Sequence, residues 1–203
     1  VDGAENVCKA CTEKGIKKII FTSSVAVYGF APLGTDETGS INYFNDYGRT
    51  KWLAEGKYRD WLSKDATQSL TIIRPTVIFG EQNRGNVYNL LKQIASNHFP
   101  MVGNGKNVKS MAYVENVAAF IEFSINNTNG EHVYNYIDKP DFDMNSLVST
   151  VRKALGKKTK LFHWPYWLGI FGGYSHFLHE KNYPLVLFES KSFAQTLCSM
   201  QKQ

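Results

Sequence analysis

Lys17-Lys18-Ile19-Ile20-Phe21-Thr22-Ser23-Ser24-Val25-Ala26-Val27-Tyr28-Gly29 is a short apolar run of β-forming residues that stops abruptly in three hydroxyl side chains. An apolar run without strict alternation predicts a strand covered on both faces, as in a parallel sheet. Small polar residues at its carboxyl end are where an α/β protein places its chemistry, because ligands bind outside the ends of such strands. A Ser/Thr turn that satisfies only its own backbone would leave the same trace.

Helix and strand signals alternate outward from this run. Helices are expected over 6–14, closed by Gly15, over 47–63, 86–97 and 113–125, and over 144–155, closed by Gly156. Strands are expected over 18–23, 70–77 and 132–137, with Asn126-Asn127-Thr128-Asn129-Gly130 as the loop before the last. The pattern predicts an α/β architecture: a partial Rossmann-like parallel sheet with flanking helices, plus a smaller C-terminal substrate-binding lobe. Residues 1–80 are assigned to the sheet domain, and 81–203 mainly to the lobe, with some segments returning to the sheet.

The helix over 47–63 opens with Asn45-Asp46-Tyr47-Gly48-Arg49-Thr50-Lys51. Residues four apart share one helical face, so an ammonium stands beside a phenol. A neighbouring cation favours the phenolate, which suits the pair to acid–base work at neutral pH. The same spacing also arises on any amphipathic helix whose ring packs and whose amine is solvated.

Taken together, Phe21-Thr22-Ser23-Ser24 with Val27-Tyr28-Gly29, then Tyr47-x-x-x-Lys51, then Ile72-Ile73-Arg74-Pro75-Thr76-Val77-Ile78-Phe79-Gly80, resemble the extended short-chain dehydrogenase/reductase family. Order and spacing match from Val1 to about Lys153, most closely to NAD-dependent nucleotide-sugar epimerases of the UDP-galactose 4-epimerase kind. The resemblance implies NAD as cofactor, with NADP as the alternative, and a UDP-sugar as substrate. It implies that Tyr47 exchanges a proton with a sugar hydroxyl while hydride passes to the nicotinamide. Lys51 would favour Tyr47 ionisation and hydrogen-bond the nicotinamide ribose, and Ser24 would hydrogen-bond the reacting oxygen. Thr22 and Ser23 would lie near the nicotinamide, and Pro75 and Val77 would line it through backbone groups. Tyr28 is assigned mainly to packing.

For the substrate, Asn86 in Gly85-Asn86-Val87 resembles the family residue that contacts the diphosphate, and Phe99 in Phe99-Pro100-Met101-Val102 the strand bordering the uracil. Lys109 stands where the family often has a phosphate-binding arginine, keeping the charge but losing the two-pronged geometry. Val77 replaces an asparagine that contacts the sugar. Dehydratases of this family carry Asp-Glu after the catalytic hydroxyl residue. Here Val25-Ala26 occupies those positions, and an apolar pair supplies no acid or base for eliminating water. Asp36-Glu37, in a Pro/Gly loop, reads as a solvated turn.

Near Val1 there is no G-x-G-x-x-G turn of the kind that holds the pyrophosphate in this family. The sequence reads as starting within the domain. Two expectations follow: a fragment of a longer enzyme, or a remnant with no complete cofactor site. On either, the 203-residue chain alone is not expected to bind NAD.

The composition narrows the remaining classes. A hydrophobic content of 43% in 203 residues suffices for a buried core, and a net charge of +5 suits a phosphate-bearing substrate without singling out nucleic acid. Three cysteines, Cys8, Cys11 and Cys198, do not make a disulfide framework, and Cys8-x-x-Cys11 has no second pair to complete a metal site. Histidines 98, 132, 163, 176 and 179 show no ligand spacing, so no metal is expected. With no signal peptide and no apolar run of ~20 residues, a cytoplasmic protein without a membrane span is expected. The stretch from Trp164 to Gly173, rich in aromatics and glycine, is assigned to packing, and a homodimer is allowed for.

Three functions stay open at this level: a 4-epimerase or part of one, an NAD(P)-dependent sugar or hydroxysteroid dehydrogenase, and a non-catalytic remnant that binds a nucleotide sugar or a partner.

Overall fold

The computed structural model describes residues 1–96, 99, 101–158 and 163–165. His98, His176, His179, Cys198 and the aromatic stretch past Pro165 lie outside the described residues. In chain order the elements are α1 (Asp2–Glu13), β1 (Lys18–Thr22), α2 (Asp46–Leu62), β2 (Ser69–Pro75), β3 (Val77–Phe79), α3 (Asn86–Ala95) and β4 (Met101–Val102). They continue with β5 (Val108–Lys109), β6 (Met111–Tyr113), α4 (Val114–Ser124), β7 (Gly130–Tyr136), β8 (Phe142–Asp143), α5 (Met144–Ala154) and β9 (His163–Trp164).

The chain divides into two compact units. The first comprises Val1–Asn89 and Ser110–Asp141. Its centre is a three-stranded parallel sheet in the order β1-β2-β7, with β2 buried at every position. Period-2 alternation along the strands sends Ile19 of β1 and Leu70 and Ile72 of β2 to one face. There they meet Ala4 and Cys11 of α1 and Ala54, Tyr58 and Trp61 of α2 in a single apolar cluster. Trp61 is 1% exposed, and burying a side chain of that size contributes on the order of 3 kcal/mol. Within the same unit, Phe120 of α4 packs edge-on against Tyr134 and tilted against Tyr136, both of β7.

The termini of α1 follow from local chemistry. Asp2 and Glu5 place negative charge in its first turn, which complements the helix dipole. Gly15, at φ 66°, takes the left-handed conformation that lets Ile16 N–H reach back to the Cys11 carbonyl at 2.8 Å. Cys11 is part of the core, and burial pushes the neighbouring Cys8 thiol up.

The strand expected over 70–77 is two strands in two sheets. The β2 ladder ends at Pro75, and the Thr76 amide donates to Tyr136 at 3.0 Å before the chain turns away. Val77–Phe79 then pairs in parallel with Met111–Tyr113. Apolar composition runs straight through this break, so the sequence alone does not mark it.

The second unit comprises Leu90–Lys109 and Phe142–Gln203. Its described part contains β4 paired in parallel with β9, and β5 paired antiparallel with β8. Asp143 caps α5 by accepting from Ser146 N–H at 2.6 Å, and that contact holds its carboxyl below the usual range. Asn145, in the first turn of α5, donates from Nδ2 to the Asn104 carbonyl at 2.9 Å. Its side-chain oxygen lies where a Cβ on Gly105 would be, 2.3 Å away. The turn before β5 is therefore fixed by α5.

Candidate active site

The carboxyl end of β1 gathers the residues singled out above. The strand ladder extends one step past Thr22, because Ser23 N–H donates to the Ile73 carbonyl at 2.7 Å. Ser24 is still extended, at φ −164° and ψ 149°, and then caps a single 3-10 turn over Val25–Tyr28. Its hydroxyl accepts from Ala26 N–H at 3.1 Å.

The helix expected over 47–63 is α2, which spans Asp46–Leu62. Asn45 is the N-cap, with its side-chain oxygen accepting from Gly48 N–H at 2.8 Å. One turn on, the Lys51 ammonium donates to the carbonyl oxygen of Thr22 at 2.9 Å. It also lies 5.1 Å from the centroid of the Phe21 ring and 5.9 Å from that of Tyr47. Both rings thus offer their negative faces to the cation. Burial pushes the Lys51 ammonium down from its ordinary value. The Tyr47 ring is 54% exposed, so the phenol stands where a ligand could reach it.

Successive strand residues point to opposite faces, and the hydroxyls of Ser23 and Ser24 part accordingly. Ser23 is 2% exposed, and its hydroxyl donates to Oε1 of Glu55 at 2.6 Å. The Ser23 hydroxyl faces inward and is held by a carboxylate. Thr22 holds Lys51 through its backbone.

Glu55 is the centre of a buried polar cluster that the sequence reading missed. Arg74 of β2 grips it with two hydrogen bonds, Nε to Oε1 at 3.0 Å and Nη2 to Oε2 at 2.7 Å. Arg59 adds a second cation, 3.2 Å from Oε2. Arg74 Nη1 also donates to the Tyr28 hydroxyl at 2.5 Å, and that hydroxyl donates to Oδ1 of Asn135 in β7 at 2.9 Å. Tyr28 therefore does more than pack: it links the 3-10 turn to two strands. A signal was present in the sequence. Glu55 falls four residues after Lys51, on the face that also carries Tyr47, and Arg74 interrupts an apolar strand. A charge on a core-facing position of each neighbouring element is the mark of a buried pair.

Glu37 is likewise more than a solvated turn residue, since its Oε1 accepts from the Asn135 backbone N–H at 2.6 Å and pins the loop to β7. Pro75 is buried at the end of β2, and Val77 is 40% exposed at the start of β3. Asn86 is exposed at the start of α3. Phe99 and Lys109 belong to the second unit, both half-buried, with Lys109 in β5. The first unit thus brings together Thr22, Ser24, Tyr47 and Lys51 at one strand end.

This donor set fits the nicotinamide riboside end of a dinucleotide: a reachable phenol, an ammonium one turn away, and a hydroxyl at the end of a parallel strand. Among the described residues there is no Gly-x-Gly-x-x-Gly turn for the pyrophosphate. No described helix is long and apolar enough to cross a membrane.

The profile of a family described as NAD dependent epimerase/dehydratase matches residues 1–136. N-acetyl-alpha-D-glucosaminyl-diphospho-ditrans,octacis-undecaprenol 4-epimerase of Escherichia coli O157:H7 is 56% identical, over 86% of this chain and 53% of that protein. UDP-glucose 4-epimerase of Vibrio cholerae is 27% identical over 81% of this chain and 52% of its own length. Among solved structures, UDP-glucuronic acid 4-epimerase from Bacillus cereus in complex with NAD superimposes with a TM-score of 0.68 at 20% identity, covering 80% of this chain and 54% of that one. The last shows a shared fold. The chain spans about half the length of these relatives.

Proposed function

Because the chain belongs to the NAD dependent epimerase/dehydratase family, we propose that it carries the proton-transfer side of a sugar 4-epimerase site. The observation that supports this reading most is the Lys51 ammonium, held at the Thr22 carbonyl beside the half-exposed Tyr47 ring. Tyr47 takes the proton from the C4 hydroxyl of the sugar and gives it back after the sugar has turned over in the site. Ser24 hydrogen-bonds the C4 oxygen and keeps it in line with the phenol. Lys51 stands beside the phenol and binds the nicotinamide ribose. Thr22, Pro75 and Val77 border the nicotinamide. The chemistry NAD would supply when bound is that of a reversible hydride acceptor for C4.

The substrate is a sugar joined to its carrier through a diphosphate, with Asn86 of the first unit taking a phosphate. The 56% identical relative favours an N-acetylhexosamine on a polyprenyl diphosphate, whereas the sequence motifs pointed to a UDP-sugar. The absence of an acidic pair at Val25-Ala26 disfavours dehydration.

The test is a product assay with NAD and N-acetylglucosamine diphosphate carried on either uridine or undecaprenol, following the configuration at C4 by NMR. Inversion at C4 without net NADH supports the proposal, and the carrier that turns over names the substrate. Accumulating NADH would make the protein a dehydrogenase. Substrate binding with no turnover, in a sample shown by calorimetry to bind NAD, would make it a non-catalytic binding protein.

A further inference from the structure

Two serines stand side by side at the end of β1, and only one can face the reacting set. The strand register alone does not hold that choice, because pairing ends at Ser23. The side chain of Ser23 does. Its hydroxyl is tied at 2.6 Å to Glu55, which is fully buried and gripped by Arg74 through two hydrogen bonds. Glu55 lies one turn beyond Lys51 on α2, and Lys51 is bonded to the residue just before Ser23. Two consecutive strand-end residues are thus bolted to two consecutive turns of the helix that carries Tyr47.

We propose that Ser23 and Glu55, backed by Arg74, are positioning residues: they fix the facing of Thr22-Ser23-Ser24 so that Ser24 is presented to the site together with Tyr47 and Lys51. The proposal rests on the reading of Ser24, Tyr47 and Lys51 as the reacting set. The Ser23 N–H bond to Ile73 and the Lys51 bond to the Thr22 carbonyl oppose a slip of the strand end, and rotating it in place would turn Ser23 outward and carry Ser24 off the site, because side chains alternate. A carboxylate held by two guanidinium groups accepts from one inward hydroxyl at full strength, and an outward Ser23 would leave that acceptor position unfilled in a dry interior. The cluster therefore stabilises one facing over the other.

Isotope-labelled chain reports this directly. The readouts are hydrogen exchange of the Ala26 amide, which Ser24 caps, and the NMR signal of the Lys51 ammonium, which Thr22 holds. In Ser23→Ala and in Glu55→Gln, Ala26 exchange should rise by about tenfold relative to Ile72 in the sheet core, a local opening of about 1.4 kcal/mol. The Lys51 signal should move in both. Ser23→Thr, which keeps the hydroxyl, should restore both readouts.

A purely structural role would lower thermal stability and speed Ala26 and Ile72 together, leaving the Lys51 signal in place; that result overturns the proposal. Should Glu55→Gln fail to fold, the Ser23→Ala and Ser23→Thr pair decides, since it leaves the Glu55–Arg74 grip intact. None of these readouts needs turnover. Failure of the epimerase reading, seen in the product assay, is therefore distinct from failure of the positioning claim.

Discussion

A Cβ on Gly48 would stand 2.4 Å from the carbonyl oxygen of Ala26, so the first turn of α2 lies directly on the 3-10 turn that follows β1. Tyr47 precedes Gly48, and Ser24 caps that 3-10 turn, so this contact sets how near phenol and hydroxyl can come. Backbone cannot swing aside as a flexible side chain would. We expect Gly48→Ala to destabilise the fold by about 1–3 kcal/mol through overpacking, against which alanine's better helix propensity offsets only about 1 kcal/mol. Turnover should fall by about 100-fold, the order that an ångström of misplacement costs. Urea denaturation and steady-state kinetics on one preparation check both; unchanged kcat would show that the contact does not set the site.

Tyr47→Phe separates chemistry from folding. The ring is half exposed, so stability should stay within about 0.5 kcal/mol of the parent. Losing an acid–base group should lower kcat by about 100-fold or more. Binding of the diphosphate-linked sugar, measured by calorimetry, should be kept. Full turnover in this variant would remove Tyr47 from the mechanism.

Glu55 and Arg74 form a pair whose side chains are 0% and 3% exposed. Removing Arg74 strips two hydrogen bonds from the buried carboxylate and leaves it Arg59 as its cation, so Arg74→Met should cost about 3 kcal/mol. The double variant Glu55→Gln with Arg74→Met should recover a large part of that loss, because no unpaired charge remains. A double-mutant cycle by urea denaturation reads the coupling. Strict additivity would mean that the two residues do not act as a pair.

At the loop that leads to Asn86, Tyr113 donates its hydroxyl proton to Glu81, at 2.9 Å to Oε2, and this contact pushes the phenol up to about 12. The unfolded chain releases that proton near pH 10. Between those values the folded state holds a proton the unfolded state has lost, so stability falls as pH rises through the window. The contribution is complete below about pH 10. Melting temperatures measured across this range should decline less steeply in Tyr113→Phe than in the parent. An identical slope would show that the Tyr113–Glu81 bond does not form in solution.

The sequence by itself determined the α/β alternation, the helix with Tyr47 and Lys51 on one face, and the hydroxyl cluster at the end of the first strand. These depend on local periodicity, capping and turn chemistry, which a few neighbouring residues specify. Gly15 shows the same rule, since a helix end needing a left-handed residue announces itself in the chain. What tertiary structure decided is which partners the polar side chains find. Ser23 and Ser24 are alike as letters, and only packing against Glu55 turns one inward. The step from β2 to β3 at Thr76 depends on an acceptor in Tyr136, sixty residues away in sequence. Glu55 and Arg74, nineteen residues apart, become one buried unit only when α2 lies on β2. A buried charge is tolerable only with its counter-charge in place, and sequence spacing does not carry that distance.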